Sequence, residues 1–193
     1  MRLPNKGLTE LKKFFSLSIS TLSLLLMAST LAAPASATEK GYRYWGYFQS
    51  PTGLKPWVTA MTGPTTIVPD GSVEGWVFTF SSDSIPDAAA PRALPNFGKL
   101  CATTKFNMVN QKRIGVIVDF GGLALRPTHE IPQKTIATCV VIDKDAIGFD
   151  VLAKVVKIRA SASGFVCGLN GYPAKECGAE VDTPKTLIPK KPV

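Results

Sequence analysis

Two stretches decide the fold: Tyr42-Arg43-Tyr44-Trp45-Gly46-Tyr47-Phe48-Gln49 and Val73-Glu74-Gly75-Trp76-Val77-Phe78-Thr79-Phe80. Both are rich in aromatic and β-branched residues, the composition of strands. A strand alternates its side chains between two faces. In the first stretch Tyr42, Tyr44 and Phe48 share one face, and Trp45 and Tyr47 share the other. In the second, Val73, Gly75, Val77 and Thr79 oppose Glu74, Trp76, Phe78 and Phe80. Aromatic side chains therefore stand on both faces of a small sheet. Ser50-Pro51-Thr52-Gly53 and Pro69-Asp70-Gly71 are turns between these segments, with a short strand around Trp57–Met61. Proline presets φ at such turns and glycine accepts positive φ.

Working outward, Ser81 to Pro95 carries Pro86, Pro91 and Pro95 with an Ala-Ala-Ala run. It reads as a surface connection and as the best place to divide the chain. Asn96 caps a short helix through Phe97, Leu100 and Cys101. Arg113 to Phe120 and Ile136 to Ile142 are nearly continuous apolar runs, hence buried strands, separated by the long loop Gly121–Thr135. Asp143 or Asp145 is expected to cap a helix whose buried stripe is Phe149, Leu152, Val155 and Val156. Two further strands are expected near Val156–Ala160 and Gly164–Leu169. The fold class is α+β: a mostly antiparallel sheet of six to seven strands, one main packed helix and two disulfides.

The ends differ from this body. Residues 1–13 carry Arg2, Lys6, Lys12 and Lys13, Phe14 to Ala33 is apolar and uncharged, and Ala35-Ser36-Ala37 is a small-x-small exit. That order reads as a signal peptide, residues 1–37, and predicts a secreted protein, extracellular or held at the cell envelope. No later segment is long and apolar enough to span a membrane. Residues 38–183 then form a single disulfide-bonded domain, followed by a basic, proline-rich tail at 184–193. The net charge of +8 over the whole chain falls to +5 without residues 1–37 and to +2 without the tail. A near-neutral body offers no electrostatic footprint for nucleic acid.

An even number of cysteines in an exported chain argues for disulfides. Cys167 and Cys177 flank Gly168-Leu169-Asn170-Gly171-Tyr172-Pro173, whose Asn-Gly turn folds them toward each other, leaving Cys101 for Cys139. Zinc fits poorly, because there is no C-x-x-C pair and His129 is the only histidine. No metal and no cofactor is expected. Nucleophile elbows, phosphate loops and H-E-x-x-H motifs are absent. Acidic hydrolysis would rest on Asp119, Asp143 and Asp145 alone, the basis of an alternative reading as a secreted carboxylate-dependent hydrolase.

Six aromatic side chains within Tyr42–Trp57 exceed what one face of a small sheet buries. A sheet covered on both sides, with every ring in the core, fits this stretch. So does a recognition surface, since large rigid rings stack on flat ligands and anchor interfaces. On the second reading Trp45, Tyr47 and Trp57 are the ligand- or partner-binding residues.

Tyr42-Arg43-Tyr44-Trp45, Gly63-Pro64, Asp70–Trp76, Val116–Asp119 and Val166–Pro173 with Cys177, in this order, resemble a family of uncharacterised exported actinobacterial proteins. The resemblance covers nearly all of residues 40–181. It implies a place beside energy-coupling-factor transporter components for cobalt or vitamin uptake, and no chemistry. Members of that family often end in a hydrophobic anchor, whereas this sequence ends Lys190-Lys191-Pro192-Val193. Asp145–Val155, Gly164–Val166 and Leu169–Gly171 are similar to the first half of a transcobalamin C-terminal-like domain. The Trp57 strand, Gly63 and Asp70–Trp76 are similar to its second half, in permuted order. The functional expectation is a secreted, non-catalytic binding or accessory protein of the envelope, serving a cobalt or cobalamin-like vitamin uptake system. Its partner would be a membrane transporter component or a small flat ligand.

Overall fold

The computed structural model describes residues 38–54 and 56–188. The signal-peptide reading of residues 1–37 and the last part of the basic tail lie outside the described residues.

Eight strands and two short helices follow one another: β1 Lys40–Ser50, β2 Val58–Thr59, β3 Val73–Ser82, α1 Phe97–Cys101, β4 Gln111–Asp119, β5 Ile136–Asp143, α2 Gly148–Ala153, β6 Ile158–Ala160, β7 Val166–Leu169 and β8 Ala179–Asp182. Six strands form one sheet in the order β2-β1-β3-β4-β5, with β8 also pairing to β1. β6 and β7 form a separate antiparallel pair. The α+β expectation holds in outline, but the sheet is mixed. β3 and β4 run parallel, with Val73 opposite Gly115 and Val77 opposite Asp119. Parallel neighbours need a long crossover. The proline-rich stretch after β3 supplies it, so this stretch divides nothing and instead packs across the sheet.

Alternation assigns the faces as expected. On the front face Trp45, Trp76, Phe78, Ile114, Val116, Val118, Val140 and Ile142 join Val151 and Leu152 of α2 and Val166 and Leu169 of β7 in one core. On the back face the indole of Trp57 lies over Gly75 beside Pro91, and Leu100 of α1 lies over Gly115. Thr79 donates to the Ala89 carbonyl at 3.2 Å. Both faces are thus covered, and Val73 to Phe80 are buried throughout.

Asn96 caps α1 as expected, its Oδ1 accepting from the Lys99 N–H at 2.8 Å. The cap of α2 is different. Neither Asp143 nor Asp145 serves; Asp150, inside the first turn, accepts from the Ile147 N–H at 3.0 Å. The helix is only six residues long, so Val155 and Val156 lie beyond its end, although Val156 remains in the core. Cys101–Cys139 and Cys167–Cys177 are both bridged, the pairing expected from the Asn-Gly turn. No helix among the described residues is long and apolar enough to cross a membrane.

Candidate functional site

The three predicted contact residues do not all share one surface: Trp45 and Tyr47 border one cleft and Trp57 lies on the other face. Trp45 is 5 % exposed. Its ring meets Phe120 edge-on at 5.3 Å and Phe78 at 5.7 Å, and its Nε1 donates to the Tyr172 carbonyl at 3.2 Å. It is therefore a core residue, because α2, β7 and Tyr172 cover the face it points to. Trp57 is half-buried on the opposite face, its Nε1 donating to the Ala93 carbonyl at 3.0 Å. Tyr47, also half-buried, stands on the front face at the boundary between core and solvent.

Tyr47 stacks on Trp76 with ring centroids 4.8 Å apart and planes 19° apart. Together with the edge of Trp45 these rings floor a cleft of about 460 Å³. One wall is Gly63-Pro64-Thr65, after β2; the other is Ser163-Gly164-Phe165-Val166, at the β6–β7 turn. No charged side chain lines it. The turn is set by positive φ at Gly164 and by the Ser161 N–H donating to the Phe165 carbonyl at 2.9 Å. It holds Phe165 42 % exposed. The same ring borders a second hollow with Tyr42 and Tyr44, so it stands between two aromatic surfaces.

Beneath the cleft lies a buried polar cluster. The Tyr47 hydroxyl donates to the Glu74 carboxylate, which also accepts from Gln49 Nε2 at 3.1 Å and from Ser72 Oγ at 3.2 Å. Glu74 is wholly buried, and desolvation pushes its carboxyl above the usual value of 4.5 despite those donors. Desolvation, then the neighbouring Glu74 charge, drives the Tyr47 hydroxyl strongly upward, so it stays a protonated donor. Lys112, on the neighbouring strand, is 3 % exposed and gives its three protons to the carbonyls of Val68, Lys144 and Ala146, each at 2.7 Å. That satisfies the ammonium completely. Gly148 closes the cluster: a Cβ there would stand 2.6 Å from the Tyr47 hydroxyl and 3.1 Å from Pro64.

The carboxylates of the hydrolytic alternative are not brought together. Asp119 is buried on the back face, where Arg92 contacts it through Nε at 2.9 Å and Nη2 at 2.5 Å, with its own N–H at 2.9 Å. Burial would raise this carboxyl, but the Arg92 and Gly121 hydrogen bonds and the Arg92 charge outweigh burial and hold it below its usual value. Asp143 pairs with Gln111 at the other end of β4, eight residues from Asp119, or about 25 Å at strand rise. Asp143, Asp145 and Asp150 line an open depression with Lys144 and Lys154. Among the described residues no group of three His, Cys, Asp or Glu side chains is placed to hold a metal ion. His129 is exposed in its loop.

A family model described as the SCO2322-like domain matches residues 37–182, from just before β1 to the end of β8. The chain belongs to the SCO2322-like domain family. Neither curated proteins nor solved structures give a match. In this SCO2322-like domain the cleft draws on residues that sequence reasoning passed over. Trp76 was legible as a neighbour of Tyr47, since alternation puts both on the front face. Phe165 was not, because nothing local marks a turn residue as the wall of a site formed by β1.

Proposed function

We propose that this is a secreted, non-catalytic binding protein that takes an uncharged, ring-bearing ligand in the cleft over Tyr47 and Trp76. The observation that carries it is the composition of that cleft: three aromatic rings in the floor, two glycine-containing loops as walls and no charge in the lining. Small-molecule sites are of this kind, mostly apolar and about 300–1,000 Å³ in volume. A Tyr–Trp stack offers a flat apolar face at little entropic cost. Two disulfides support an exported setting. The envelope uptake of cobalt or a cobalamin-like vitamin implied by the family resemblance, with a transporter component as partner, belongs to the same proposal.

The test is a titration with N-phenyl-1-naphthylamine, an uncharged aromatic probe, followed by its own emission and by tryptophan quenching. Saturable binding is expected. Phe165→Ser is expected to weaken it by about 2 kcal/mol with an unchanged melting temperature. Trp45→Ala, by contrast, is expected to cost about 3 kcal/mol of folding stability, as a core truncation. No saturable response, or a Phe165→Ser protein that binds like the wild type, would overturn the proposal.

A further inference from the structure

The fold treats the two edges of its sheet differently. The outer side of β1 is covered by β2 at Phe48 and Gln49 and by β8 from Lys40 to Arg43. β5, at the other edge, pairs among the described residues only with β4. The direction of its free groups follows from the ladder. Gly71 N–H donates to the Arg113 carbonyl and Gly115 N–H to the Ser72 carbonyl, so odd-numbered residues of β4 turn their backbone groups toward β3. Even-numbered residues of β4 therefore bond to β5, where Ile114 is opposite Val140 and Val116 opposite Thr138. The N–H and C=O groups of Ala137, Cys139 and Val141 consequently point out of the sheet. None of these six groups has a hydrogen-bond partner among the described residues. Ala137 is exposed and the other two are half-buried.

Exposed edges are commonly blunted by prolines, charges, bulges or short length. β5 has eight residues in unbroken register with β4, and Ile136–Ile142 contains neither proline nor charge. It is a β-branched edge left without protection.

We infer that β5 is the interface of a symmetric dimer, pairing antiparallel with β5 of a second copy across a two-fold axis at Cys139. The pattern is self-complementary, as an isologous contact requires. In this register Cys139 faces its counterpart and Ala137 of each copy faces Val141 of the other. All twelve outward groups of the two copies are then satisfied in six hydrogen bonds. The stretch brought together is uncharged in both copies, Ile136–Ile142 of one against Ile136–Ile142 of the other, so no like charges oppose within the paired segment.

Sedimentation equilibrium of the purified protein from micromolar to millimolar concentration tests this. The wild type is expected to move from monomer to dimer mass. Ala137→Pro removes an outward N–H and no β4–β5 bond, so a monomer with an unchanged circular dichroism spectrum is expected. Ala137→Lys leaves the backbone groups intact at an exposed position and keeps the test open if the proline variant fails to fold; the charge placed on the edge is expected to weaken the dimer about tenfold. A wild type that stays monomeric overturns the inference. So does a folded Ala137→Pro protein that still dimerises, or an unchanged dimer constant in Ala137→Lys.

Discussion

Glu74 shows how one residue sets a pH dependence. Its carboxyl is raised by burial, so the folded protein holds this proton more tightly than the unfolded chain does. The stability it contributes is therefore full below the usual carboxylate value of 4.5 and is lost as pH rises through the folded value. Above that value a constant penalty remains. Glu74→Gln keeps an oxygen for Tyr47 to donate to and removes the charge. Urea unfolding at neutral pH is expected to show a gain of about 1 kcal/mol, shrinking to nothing in acid. A variant less stable than the wild type at neutral pH would contradict this. In the sequence Glu74 looked like a strand residue facing away from Val73 and Gly75. Alternation placed it on the right face, yet gave no sign that this face would be closed by Pro64 and Gly148. The same limit explains Trp45: alternation tells which rings lie together, while coverage is decided by elements more than a hundred residues away.

At the scale of elements, strand identity was legible wherever composition and alternation agreed, as in β1, β3, β4 and β5. Direction was not. The parallel pairing of β3 with β4 depends on where the stretch after β3 travels, and its prolines signal a connection without giving its course. β8, Ala179-Glu180-Val181-Asp182, was missed because four residues with a single large apolar side chain carry too little pattern. The start of α2 was misread because Asp143 and Asp145 precede the helix where caps are sought, whereas Asp150 reaches back from within it. That helix start packs tightly on the site. Gly148→Ala would press a methyl group against the Tyr47 hydroxyl and Pro64. The expected cost is about 2 kcal/mol, read from the denaturation midpoint. A neutral substitution would show that the loop at Pro64 gives way freely.

At the scale of the whole molecule, the cysteine framework was the most legible feature. The Asn-Gly turn fixed one pair and the even count fixed the other, with no knowledge of the sheet. The bridges serve different ends. Cys101–Cys139 ties α1, on the back face, to edge strand β5 across 38 residues, and Cys167–Cys177 closes a local loop of 10. In the chain-entropy model, removing the first as a double serine variant is expected to cost about 4 kcal/mol and removing the second about 3. Guanidinium denaturation of the two variants checks the order. The cleft itself was only half legible, since its floor comes from β1 and β3 but its walls come from two loops that no local signal joins.

The pairing of β1 with β8 also bears on how the chain is made. Gly41 lies opposite Val181, so the first strand to be synthesised waits for the last. Synthesis delivers residues from the N-terminus onward, and contacts of such long range form slowly. Until residue 182 emerges, part of the outer edge of β1 has no partner in its own chain. A nascent form lacking β8 would carry two unsealed edges, making it the species in which holdase chaperones find their grip.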